Sequence, residues 1–106
     1  MPNAQGTVRC QDGSRIEAVF TLDEGIRLAF AGSVSPRGAA WESGEATLTY
    51  SSEGDLTGQR VFKGSVSRDN VSLELDNGPT LEGRLKPPGV GTPQAFTGSG
   101  TWRVSQ

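Results

Sequence analysis

The sequence contains no histidine. That single absence removes Ser/His/Asp triads, Cys–His nucleophile pairs and histidine-based metal sites together. There is one cysteine, Cys10, so no internal disulfide can form. Disulfide-dense secreted scaffolds are excluded, and the fold must stand on packing and hydrogen bonds. Cys10 has no histidine to activate it and falls on the inward side of a strand pattern, which reads as a buried structural thiol. No apolar run approaches the ~20 residues of a membrane helix. The first six residues, 1–6, carry neither the basic nor the apolar region of a signal peptide. The expectation is a soluble chain with no membrane span; the compartment is left open between cytoplasm and export, with the cytoplasm favoured. Charge is also sparse: the net value is −2 and no run of like sign occurs. Nucleic-acid binding needs a basic excess on one face, so no nucleic-acid partner is expected. Gly98-Ser99-Gly100 lies in a strand pattern with no helix after it, which is the wrong context for a dinucleotide loop. No cofactor is expected.

What the chain does have is glycine, proline and strict alternation. Its 106 residues suit one domain spanning 1–106, with 1–6 as an N-terminal tail. Only 33% of residues are hydrophobic, which favours a thin core, and 15 glycines and six prolines divide the chain into short elements. Helical periodicity is nearly absent, and period-two alternation recurs between turn signals. Eight strands are predicted: 7–11, 15–22, 26–34, 44–51, 59–67, 71–75, 80–85 and 95–104. Their inward residues include Val8, Cys10, Ile16, Ala18, Phe20, Leu22, Ile26, Leu28, Phe30, Ala46, Leu48, Tyr50, Phe62, Phe96, Trp102 and Val104. Pro2, Pro36, Pro79, Pro87, Pro88 and Pro93 all fall at the start or in the connections, as they must if central strands are to keep their ladder donors.

Glycine phase points to the architecture. Gly32, Gly44, Gly64, Gly83, Gly98 and Gly100 share the inward parity of the large apolar residues. An inward glycine packs nothing itself, but it lets a strand bend or lets another group approach its backbone. Closing a sheet at small radius needs such kinks. The prediction is an all-β, eight-stranded antiparallel β-barrel, closed or nearly closed. Phe20, Phe30, Tyr50, Phe62, Phe96 and Trp102 would fill it. A flattened β-sandwich satisfies the same alternation and is the alternative. An open barrel would leave a strand edge through which a homodimer could form.

If successive strands reverse direction, the connections divide between two ends. One end gathers Asp12, Arg37, Arg68, Asp69 and Lys86 with two long loops, 35–43 and 86–94. The other gathers Asp23, Glu24, Glu53, Asp55 and Asp76 with no Lys or Arg in its loops. Loops on a rigid scaffold commonly carry function. Trp41 falls outside the inward phase, and Trp with Arg is enriched at interface hot spots. Arg37, Trp41, Arg68 and Lys86 are therefore the candidate partner-binding residues, with Trp41 as a plug of the barrel end as the competing reading. Asp23, Glu53, Asp55 and Asp76 are weak calcium candidates, although turns demand such residues anyway. Glu42 and Glu45, checked as a carboxylate pair, fall by parity on opposite faces and offer no acid beside a base. The expected function is a non-enzymatic interaction module with an unidentified protein partner. The alternative is a barrel that carries an apolar small molecule.

Overall fold

The alternation is realised as eight antiparallel strands that close on themselves. The computed structural model describes residues 3–10, 12–22, 25–35, 40–86 and 93–105, apart from the side chains of Glu53 and Ser105. The strands are β1 (Asn3–Cys10), β2 (Arg15–Thr21), β3 (Arg27–Ser35), β4 (Trp41–Thr49), β5 (Gln59–Val66), β6 (Asn70–Leu75), β7 (Thr80–Leu85) and β8 (Gln94–Ser105). One 3₁₀ turn, Glu53–Asp55, interrupts the β4–β5 connection. The β1 strand absorbs most of the predicted N-terminal tail. Ala4 is buried, and Asn3 to Gly6 pair with Thr49 to Ala46.

Around the wall the order is β1-β2-β3-β8-β5-β6-β7-β4, with β4 returning to β1. Two contiguous sheets make up this ring. β4-β1-β2-β3 is a Greek key, a three-strand meander whose fourth strand returns beside the first, and β8-β5-β6-β7 is a second one. Advancing every strand number by four leaves the ring unchanged. The two halves meet at two seams, β3–β8 and β4–β7. All pairings are antiparallel, so successive strands do alternate in direction, and the connections divide between two ends as expected. Closure leaves the wall without the open edge that a strand-edge homodimer would need.

The seams are built on small inward residues. Gly32 is the register partner of Gly100 at the first, and Gly83 is the partner of Ala46 at the second. A Cβ on Gly32 would fall on the Ser99 carbonyl and the Gly100 backbone, and one on Gly83 would meet Ser43 Oγ and the Ala46 methyl. The sheet turns its tightest corners where no side chain intervenes. Gly6, which sequence parity left in the tail, is used in the same way against β2, under Val19 and Phe20.

Gly44 is the exception among the predicted inward glycines. It is exposed, and β4 carries one extra residue at Gly44–Glu45 relative to both β1 and β7. A β-bulge of this kind shifts the pleat by one residue. Upstream of it, Trp41 and Ser43 point inward; downstream, Ala46 and Leu48 do. The bulge also places both Glu42 and Glu45 outward, not on opposite faces. Ile26 and Val104, predicted inward, are exposed. They stand at one end of the barrel, where β3 begins and β8 finishes, beyond the reach of the core.

The interior is a column of aromatic rings. Trp102 lies 4.9 Å from Phe30, Phe30 5.8 Å from Phe62, Phe62 6.4 Å from Phe96, and Phe96 6.3 Å from Trp41 between ring centroids. Most of these contacts are tilted or edge-on, the arrangements that ring quadrupoles favour, each contributing about 0.5–1.5 kcal/mol beyond area burial. Phe20, Ile16 and Leu48 are fully buried around them.

Candidate functional site

The end of the barrel at which odd-numbered strands finish carries the turns 12–14 and 67–69, with Ala40, Lys86 and Pro93 at the same end. Arg37 and Pro87–Thr92 lie outside the described residues. Trp41 closes this end from within. It is 7% exposed and stacks on Phe96 at an interplanar angle of 26°. These two rings begin β4 and β8, the returning strands of the two Greek keys, so each half supplies one ring to the stack. Trp41 is thus buried against Phe96 and not displayed on the surface.

The turns beneath this end are tied down by backbone and side-chain bonds. Asp12 Oδ1 accepts from Ser14 N (3.0 Å), Ser14 Oγ (2.9 Å) and Arg15 N (3.1 Å), and the Ser14 carbonyl accepts from Val34 N at 2.8 Å. Asp12 therefore serves its turn. Burial pushes the neighbouring Cys10 thiol above its ordinary value of 9.0; backbone donors from Gly13 and Arg15 oppose the shift, and Asp12 adds to it. A thiol held protonated is inert.

Arg68 and Lys86 come together. The turn 67–69 is fixed by Ser67 Oγ donating to Asn70 Oδ1 (2.8 Å), and Leu85 N donates to the Asp69 carbonyl at 2.9 Å. That bond sets the Arg68 turn against the end of β7, where Lys86 follows. Lys86 N donates to the Glu42 carbonyl at 2.9 Å, and its Nζ pairs with Glu42 Oε2 at 3.3 Å. Both charged heads are about half exposed, so the ion pair orients Lys86 more than it stabilises the fold. Arg84, exposed on the outer face of β7, completes the group. Its register partners are Asn70 and Glu45. A shallow polar depression lies between these strands, lined by Asp69, Asn70, Ser72, Glu82 and Arg84 among others. Arg84 was missed from sequence because it sits within a strand and not in a loop; the β6–β7 hairpin register, which pairs it with Asn70, brings it beside the 67–69 turn.

The opposite end is less acidic than its loops suggest. Asp55 and Asp76 are there, but so are Arg27, Arg60 and Arg103 at the strand ends. Arg60 Nε donates to the Thr57 carbonyl at 3.2 Å. Asn77 Nδ2 donates to the Asp55 carbonyl at 2.9 Å, tying the β6–β7 hairpin to the β4–β5 crossover. Asp23 and the Glu53 side chain lie outside what is described. Among the described residues no three acidic or thiol groups gather in a way that could hold a metal ion. No helix among them is long and apolar enough to cross a membrane.

No protein-family model matches the chain, and neither a curated protein nor a solved structure matches it.

Proposed function

We propose that the chain is a non-enzymatic protein-binding module whose contact surface is the β6–β7–β4 side of the long-loop end, centred on Arg68, Arg84 and Lys86. The observation that carries this reading is the Leu85–Asp69 backbone bond. It holds the turn that bears Arg68 against the end of β7, which bears Arg84 and is followed by Lys86, next to an open polar depression. A backbone fixed in this way loses less freedom on binding than an untethered loop. Mixed charge around them, from Asp69, Glu42 and Glu82, suits a protein surface of alternating sign better than a polyanion. A non-enzymatic role is supported by the absence of histidine and by the pairing of Glu42 with Lys86. The filled aromatic column favours this reading over an apolar carrier.

Affinity capture from the native host tests the proposal. The Arg68→Glu/Arg84→Glu/Lys86→Glu variant should lose a partner that the parent chain and an Asp55→Asn/Asp76→Asn control both retain. Equal recovery by the triple variant, with its circular dichroism unchanged, would reject the surface.

A further inference from the structure

We propose that the same barrel can be closed between two copies of this chain, each copy giving its first Greek key to one barrel and its second to the other. This goes beyond the binding proposal and does not rest on it. Each half is a contiguous four-stranded sheet with two outer strands, β4 and β3 in one half, β7 and β8 in the other. Among the described residues, the backbone ladders between the halves run through the two seams, Arg27–Ser35 with Thr97–Ser105 and Ser43–Thr49 with Thr80–Leu85, the second extended by the Lys86–Glu42 backbone bond and ion pair. The seams take no account of which chain supplies each half. The glycine corners, the Phe30–Trp102 contact and the Trp41–Phe96 stack, all formed between halves, would be remade unaltered in trans. Only the segment 50–58, which joins β4 to β5, would have to take a new path.

That segment sets the balance. It crosses beneath β6 and β7 and is held there by buried Leu56, by the Asn77–Asp55 bond and by Trp102 N donating to the Gly58 carbonyl at 3.0 Å. These ties favour the single-chain barrel. A connection too short to cross would leave exchange as the way to keep both seams, the general route by which hinge shortening produces swapped dimers. Deleting Ser51 through Leu56 leaves three residues, a reach of about 14 Å. The crossing must clear three interstrand gaps of about 4.8 Å each and turn out of and back into the wall.

The test uses the whole chain in two arms. The shortened variant should elute at twice the monomer mass by light scattering, with the β-sheet circular dichroism of the parent. In the second arm, full-length chains carrying Ser33→Cys and full-length chains carrying Ser99→Cys, both in a Cys10→Ala background, are refolded together at high concentration and oxidised. Ser33 and Ser99 are register partners across the β3–β8 seam. Half-exchange brings the two introduced thiols together in one barrel and yields a disulfide-linked pair, well above a control mixture of Ser33→Cys with Ser72→Cys on β6. A shortened chain that stays folded and monomeric overturns the proposal. So does a shortened dimer that gives no cross-link when shortened chains carrying Ser33→Cys and shortened chains carrying Ser99→Cys are mixed and oxidised in the same way. If the shortened chain does not fold, the full-length mixture decides alone: cross-linking no greater than in the control overturns the proposal, and a clear excess supports it.

Discussion

Gly32 and Gly100 face each other across the β3–β8 seam so closely that neither has room for a Cβ. A methyl on Gly32 would strike the Ser99 carbonyl, and one on Gly100 would strike the Phe30 ring and the Ala31 carbonyl. The obstruction on the Gly32 side is backbone, which cannot swing aside as a side chain can.

Gly32→Ala is therefore expected to cost about 3 kcal/mol or more in chemical denaturation. Gly44→Ala is the contrast. Its Cβ would meet only the flexible end of Lys86. The change should stay within about 0.5 kcal/mol of the parent. Similar losses at both positions would contradict the bulge at Gly44 and the corner at Gly32 alike.

Trp41→Ala should cost about 3–5 kcal/mol, because it empties one end of the aromatic column. Trp41→Phe keeps a ring against Phe96 and should cost about 1–2 kcal/mol. Urea unfolding of the two variants checks this. A Trp41→Ala protein as stable as the parent would return Trp41 to the surface as a recognition residue.

The aromatic interior was legible in the sequence, since period-two alternation reports directly on which side of a sheet a residue faces. Phe20, Phe30, Phe62, Phe96 and Trp102 are all buried. Trp41 was misplaced because one inserted residue at Gly44–Glu45 inverts the phase, and the one local mark of it, Gly44, reads equally as an inward kink. Ile26 and Val104 carried the right parity but stand at the rim, where parity no longer implies burial. Leu56 went unread because it is an isolated apolar residue in a turn-rich stretch, with no alternation around it. The strand order is a long-range property. Alternation is the same in a meander and in two Greek keys, so the approach of Glu42 and Glu45 on β4 to Arg84 and Lys86 could not be assembled from spacing.

Leu56→Ala should cost about 2–4 kcal/mol despite lying in a connection, because the side chain is 2% exposed. Thermal unfolding measures it. A negligible shift would mean that the 50–58 segment is not anchored through this residue.

Cys10 gives a pH dependence with a defined sign. Burial raises its pKa in the folded chain above the 9.0 of the unfolded one. Above pH 9 the unfolded state therefore sheds this proton first, and stability falls as pH rises through that window. Below it the contribution is fully present. Urea unfolding at pH 8 and pH 10 should show a smaller alkaline loss for Cys10→Ala than for the parent. Equal losses would place the thiol in contact with water.

The closed barrel with two seams is most directly tested by nuclear Overhauser contacts in the folded chain. Both sets of contacts, Gly32 with Gly100 and Leu48 with Leu81, should be present in one monomeric species. Either set missing while the strands remain intact would leave an open sheet or a sandwich in place of a closed wall.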